Sequence, residues 1–280
     1  MKSIRTLLTR KKPVPAIVGI PQASALVLRA ISELLRAGRA EEAEEQARTF
    51  QQAAGRAPGR GDLTNATVSM LAARAVLAQG RAAQAVSELD GLLAELTEPP
   101  SMPHYAMSLA VRVNRAAALC HLERPGEAET ECRDVLKSLA RMTRPSAKVE
   151  LAALHCLVLA LNGQGRYEEA EAVARGALPR AEREAAMALG CGLVHSLNGQ
   201  GRHEEALTEA RKSAPAYGQG GAGAIGLGAA TALHGLGHRA EAEAEARQVL
   251  ADCEKYLPPG HRRTQQTHQL LARITTDSPG

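Results

Sequence analysis

The side chains in this 280-residue sequence with chemistry to offer are nine histidines, five cysteines and several adjacent glutamate pairs. His121, His155, His195 and His234 all fall in segments with a helical apolar period. A metal ion would need their imidazoles around one point. None of them has a second histidine at i+4, and neighbouring helices stand ~8–10 Å apart, so the spacing predicts no metal centre. Glu41-Glu42, Glu168-Glu169 and Glu204-Glu205 offer acids and bases. Adjacent residues on a helix point apart, and each pair opens a helix, where a carboxylate complements the dipole. Gly218-Gln219-Gly220-Gly221-Ala222-Gly223 fits G-x-G-x-x-G. A dinucleotide site needs a strand before that turn, whereas the residues here read as helix. No P-loop and no G-x-S-x-G elbow occurs. Neither catalysis nor a cofactor is therefore expected.

Cys120, Cys132, Cys156, Cys191 and Cys253 are odd in number, form no C-x-x-C pair and sit in apolar stretches. Free cysteine there acts as a small hydrophobe, which suits a reducing, cytoplasmic setting. No apolar run reaches membrane-spanning length. Residues 1–21 are expected to form a flexible basic tail carrying Lys2, Arg5, Arg10, Lys11 and Lys12. Ile4, Leu7 and Leu8 recur at helical spacing among those cations, so contact with an anionic membrane is the lesser expectation. The whole chain carries a formal +4, so the remainder after this tail is close to neutral. With aromatics at 2% there is no platform on which bases could stack, and no nucleic-acid partner is expected.

The elements that must position these residues come from a repeat. Gly-Arg or a variant, two residues, then Glu-Ala or a variant begins at residues 38, 80, 123, 165, 201 and 237, spacings of 42, 43, 42, 36 and 36. Before the fourth copy, Leu154, Leu157, Val158 and Leu161 lie on one helix face. Gly165 can end that helix in a left-handed conformation, and Ala170, Ala174 and Ala177 share the face of the next helix. The third copy lacks the turn glycine and is expected to use Pro125-Gly126 instead. First helices are predicted near 22–37, 63–79, 104–122, 146–162, 180–198 and 221–235. Second helices are predicted near 40–54, 82–96, 126–141, 167–178, 203–213 and 239–255, with a cap near 262–275. Pro99, Pro100, Pro103, Pro145, Pro179, Pro215, Pro258 and Pro259 all fall between these segments. Glycines in the last first helix should make the sixth pair the least stable.

The turn and its small residues, best seen in Gly165, Tyr167 and Ala170, resemble the tetratricopeptide repeat. The longer form in kinesin light chains is the nearest likeness. Leu257-Pro258-Pro259-Gly260-His261, followed by Thr264, is similar to the linker of those longer repeats. The resemblance implies an all-α, right-handed superhelical solenoid of about six hairpins over residues 22–276, with a capping helix and a short flexible end at 277–280. It implies a concave groove lined by first helices, holding a peptide segment or a domain of another protein. In peptide-binding members an Asn often stands fourteen residues before the small residue opening each second helix. Asn114 does so here, while Arg29, Leu71, Cys156, Gly192 and Gly228 hold the other places. Neighbouring groove positions are Ser32, Arg36, Thr67, Met70, Arg74, His121, His155, Asn162, His195, Asn198, Thr231 and His234.

Two expectations follow for this groove. Arg29, Arg36 and Arg74 would hold an acidic or C-terminal carboxylate group through bidentate contacts. The histidines, titrating near ~6.5, would weaken binding of a cationic ligand as they gain protons. The expected function is a protein-interaction scaffold. The alternatives are a ligand-sensing regulator acting through a partner and, less favoured, an enzyme built in the groove.

Overall fold

A computed structural model describes residues 22–54, 63–96, 101–213, 222–257 and 259–276. Among them are thirteen α-helices and no strand. They are α1 (Gln22–Arg36), α2 (Ala40–Ala54), α3 (Leu63–Ala78), α4 (Ala82–Leu96), α5 (Met102–His121), α6 (Pro125–Ala140) and α7 (Ala147–Gly163). They continue with α8 (Tyr167–Ala177), α9 (Arg183–Gly199), α10 (His203–Ser213), α11 (Ala222–Gly235), α12 (Arg239–Tyr256) and α13 (Arg262–Thr276). The expected basic tail, the residues from 277 onward and most of the glycine motif at 218–223 lie outside the described residues.

Each helix pair is joined by the same turn. The second residue after the first helix takes a left-handed backbone, with φ between 73° and 80° at Gly38, Gly80, Gly165, Gly201 and Gly237. The next amide then reaches back five residues to a helix carbonyl. Arg39 N donates to Leu34 O at 2.9 Å, Arg166 N to Leu161 O at 3.0 Å and His238 N to Leu233 O at 2.9 Å. This 6→1 bond satisfies a carbonyl that the helix end would leave orphaned. The third turn differs from the expectation. Glu123, not Gly126, takes the left-handed place at φ 58°, and Gly126 belongs to α6. Pro125 and Pro103 also sit in first turns rather than between helices. That position suits proline because its missing N–H has no intrahelical acceptor there. Leu178–Arg180 forms a 3₁₀ turn around Pro179, so α9 begins at residue 183.

Packing follows from small residues. Ala43, Ala85, Ala128, Ala170, Ala206 and Ala242, the small residue of every copy, are fully buried. Alanine there lets each second helix nest against its own first helix. Consecutive first helices also touch one another, whereas backbones of consecutive second helices stay apart. The first helices are therefore the inner layer of a curved array. Gly192 in α9 shows how close that layer is: a Cβ there would lie 2.5 Å from Val158 Cγ1 on α7. Gly226 and Gly228 do the same for α11 against Val249 and Val194. These glycines thus permit close approach as well as weakening a helix. The core is a strip running from pair to pair, not one centre, and α13 ends it with Leu270, Ile274 and Thr267 buried.

The outer ridge is held by charge. The N-cap arginine of the second helix grips the glutamate three residues on. Arg166 Nε and Nη2 meet Glu169 at 2.6 and 2.7 Å, and Arg202 meets Glu205 at 2.7 and 2.6 Å. Arg124 and Glu127 repeat the pair at 2.6 and 2.7 Å. A second carboxylate joins one pair to the next. Glu129 accepts from Arg133 of its own helix at 2.8 Å, and from Gln164 at 2.8 Å and Arg166 at 2.7 Å of the following turn. Glu171 does the same with Arg175, Gln200 and Arg202, and Glu44 with Arg48, Gln79 and Arg81. Burial alone would raise the Glu129 pKa, but these donors outweigh it and bring it down to about 2.

Candidate functional site

The inner layer curls back on itself. Arg36 at the end of α1 pairs with Glu184 at the start of α9. Arg262 Nη1 at the start of α13 donates to the Cys120 carbonyl near the end of α5 at 3.3 Å. A methyl group on Gly38 would lie 3.7 Å from the Tyr256 carbonyl, so the first turn abuts the end of α12. Side chains on the inner face are accordingly open to water yet walled by protein. Arg74, His121 and His195 are all exposed, but burial is the largest influence on each and lowers each pKa.

Two poles of positive charge result. At one, Arg74 on α3 stands beside Glu184, Arg36 and Cys156. Glu184 favours its charged form, whereas Arg36 opposes it. At the other, His121 faces Arg262 and Arg263, His195 faces Arg262, and His261 faces Arg263 and His121. Burial, then Arg263, then His121 push His261 down to about 4. His261 Nδ1 accepts the Arg263 backbone N–H at 3.1 Å, which fixes the start of α13. The His195 ring stands 6.2 Å from that of Tyr167.

The remaining expected groove residues divide. Arg29 is exposed and pairs with Glu33 of its own helix at 2.8 Å. Ser32 and Asn114 turn their polar atoms onto Leu28 O and Ala110 O, both at 2.8 Å, and Thr67 and Thr231 make the same i−4 bond to Leu63 O and Leu227 O. Met70 is half-buried against the core shared by α3, α4 and α5. His155 lies beside the Cys156 thiol, and His234 is half-buried in the last turn of α11. Two positions need correction. Asn162 is buried: its Nδ2 donates to Gly192 O at 3.0 Å and its Oδ1 accepts from Ser196 at 2.9 Å. Asn198 donates to Gly228 O at 2.9 Å and meets His203 Nδ1 at 3.1 Å. Both amides tie one pair to the next instead of facing a ligand. Their partners are the glycine carbonyls at the very places where an Asn ladder would have stood.

Sequence reasoning missed Glu184, His261, Arg262 and Arg263. A signal existed for the last two. Two arginines in a first turn with no acid beside them oppose the helix dipole, which asks for another reason to be there.

Elsewhere, an open cleft of about 530 Å³ between α5 and α6 is lined by Arg112, Arg115, Glu131 and Asp134, among others. Glu131 is buried and accepts from Arg112 at 3.2 Å and Arg115 at 2.7 Å, so much of its charge is already matched. Among the described residues no three metal-ligating side chains converge, and no helix is long and apolar enough to cross a membrane.

Comparison with known proteins agrees with this architecture. Two family models described as tetratricopeptide repeat match residues 151–185 and 187–212. No curated protein matches the sequence significantly. Among solved structures, a Rap protein complexed with competence and sporulation factor is similar at 14% identity and a TM-score of 0.64, covering 91% of this chain and 71% of that one. The apo form of RapI gives 12% and 0.57 over the same shares. A putative kinesin light chain from Podosopora anserina with nearly identical TPR-like repeats gives 19% and 0.50, covering 70% of this chain and 97% of that one. At these identities the likeness is one of fold.

Proposed function

We propose that this tetratricopeptide-repeat protein is a non-catalytic interaction scaffold whose inner wall binds a peptide segment of a partner. The observation that carries this reading is the walled inner face, lined by polar side chains from separate helices that the core does not use. Arg74 is the clearest case: it is open to water, crowded by protein and shares the single acid Glu184 with Arg36. A flat surface would let solvent screen such a group, whereas a concave one strengthens its interaction with a bound carboxylate. The outer ridge, by contrast, matches its arginines and glutamates to each other.

A second reading, a regulator that senses a ligand and acts through a partner, draws support from one comparison. The Rap structure that covers 91% of this chain is a complex with a factor. The cross-groove pair Arg36–Glu184 would be the element such a ligand rearranges. Free thiols at all five cysteines suit a cytoplasmic home for either reading.

Affinity capture with the full chain tests the proposal. Alanine at Arg36 and Arg74 together should reduce recovery of the partner at least about tenfold, because two charge-assisted contacts are lost. Alanine at Arg133 on the outer ridge should leave recovery unchanged. Equal losses from both sites would refute a groove-bound partner.

A further inference from the structure

Three cysteines gather where the third and fourth helix pairs meet. Cys120 stands near the end of α5, Cys132 in the middle of α6 and Cys156 in the middle of α7, all in one apolar cluster. The Cys132 and Cys156 thiols touch, Cys132 donating a hydrogen bond to the Cys156 sulfur. Cys156 in turn donates to the Val113 carbonyl on α5 at 3.6 Å. Its other polar neighbours are His155, also hydrogen bonded to it, and Arg74 of α3. Counted from the small residue opening each second helix, the place of Cys132 is held by Ala47, Leu89, Ala174, Ala210 and Ala246 in the other pairs. An apolar side chain meets the packing need there, so a sulfur touching a second sulfur adds chemistry that packing does not require.

The surroundings give the two sulfurs different roles. A thiol reacts with oxidants as its thiolate, and Cys156 is the one that ionises first. The hydrogen bond from Cys132 lowers its pKa most, burial opposes this, and His155 and Arg74 lower it further. The same bond, and then burial, keep Cys132 protonated. Burial, then Cys156, push the Cys120 thiol up to about 12, so it stands by as an inert neighbour. Access agrees with this order. Cys156 is 4% exposed and Cys132 0%, and Arg74 beside Cys156 is open to water on the inner face.

We propose that Cys132 and Cys156 form a reversible oxidation site for hydrogen peroxide, in which Cys156 is attacked first and Cys132 resolves it into a disulfide. The Cys156 thiolate attacks one peroxide oxygen. An S–O bond forms, the O–O bond breaks, and the departing hydroxide leaves as water with the proton that Cys156 gave to His155. The Cys132 sulfur then attacks the sulfenic sulfur. An S–S bond forms, the S–O bond breaks, and the second hydroxide leaves as water with the Cys132 proton. The two thiols lose two electrons in all, and peroxide is reduced to two waters. A small thiol reverses the bridge by exchange. The bridge fastens α6 to α7, across the joint between the third and fourth pairs. This chemistry is independent of what the groove binds.

Differential alkylation and peptide mass mapping of the reduced full chain, titrated with hydrogen peroxide, test the site. A linked Cys132–Cys156 peptide, lighter by two hydrogens, should appear before any other oxidised peptide, and dithiothreitol should remove it. C132S leaves the sulfenic acid unresolved, so dimedone should label Cys156. C156S should slow peroxide consumption at least about tenfold, and C191S should change nothing. If a serine variant does not fold, the order of modification in the wild-type chain decides alone. Exposure by itself would favour Cys120 or Cys191, the two half-buried thiols. Modification of either before Cys156, a first bridge between other cysteines, or resistance of all five thiols would overturn the proposal. Oxidation of Cys156 with no bridge would overturn the resolving role of Cys132.

Discussion

At Glu123 the backbone is left-handed, φ 58°, where the other five turns place glycine. A side chain there costs ~1–2 kcal/mol, and glycine gives back part of that through its greater freedom when unfolded. Glu123→Gly should therefore raise stability by about 1 kcal/mol and Tm by about 2–4 °C, read by thermal denaturation. An unchanged or lower Tm would show that the Glu123 side chain holds something the turn needs. His261 gives a pH signature. Its pKa of about 4 lies below the ordinary imidazole value of 6.5, so the folded chain binds fewer protons than the unfolded chain between those limits. Its contribution is complete above pH 6.5 and is lost as pH falls through 4. His261→Asn keeps an acceptor for the Arg263 N–H and should flatten the decline of Tm over that window. Parallel Tm profiles for the two proteins would count against this assignment. The groups facing it are Arg263 and His121, and neither carries a counter-charge. Of the expected groove histidines, His121 and His195 also fall below the ordinary imidazole value, through burial first and then the arginines of α13. Those arginines, Arg262 and Arg263, lie far along the chain, and no local pattern reveals them.

At the scale of the helix pair, the sequence carried most of what the structure shows. The recurring Gly-Arg and Ala positions located twelve helices, and the cap was expected because the open end of a repeat array must be covered. Helix ends agree within a few residues because turn glycines and first-turn prolines act locally. What the sequence did not reveal is the joint between pairs. Glu129 meets Arg166 across 37 positions and Asn162 meets Gly192 across 30, and nothing nearby marks which carboxylate or amide will be chosen. Asn162 read as a groove residue for that reason. Glu129→Gln should destabilise the chain by about 1–2 kcal/mol, since a mostly buried site loses charge-assisted acceptors while its donors remain. A double-mutant cycle with Arg166→Ala should show coupling, and strict additivity would deny the joint. The wild-type contribution is present above the unfolded carboxylate value of ~4.5 and fades as pH falls toward 2, a window below that of His261. Gly192→Ala should also destabilise, by about 1–3 kcal/mol, because Val158 leaves no space for a methyl group. A neutral or stabilising result in chemical denaturation would mean that α7 and α9 part more easily than their packing indicates.

At the scale of the whole molecule, small rotations between successive pairs accumulate until α1 meets α9 and α13 meets α5. That closure turns a row of hairpins into a walled groove. It escapes sequence reading because each rotation depends on the volume of a few side chains, and their sum decides which distant helices meet. The functional account depends on the partner entering that wall rather than lying on the charged ridge outside it. Site-specific photo-crosslinking tests this most directly. A genetically encoded benzophenone residue would replace His121 or His195 on the inner face, and Thr130 or Ala172 on the exposed outer face. Irradiation in cells of the source organism should give a discrete partner adduct from the two inner positions and none from the outer ones. Adducts from Thr130 and Ala172 alone would place the partner on the ridge and contradict the account.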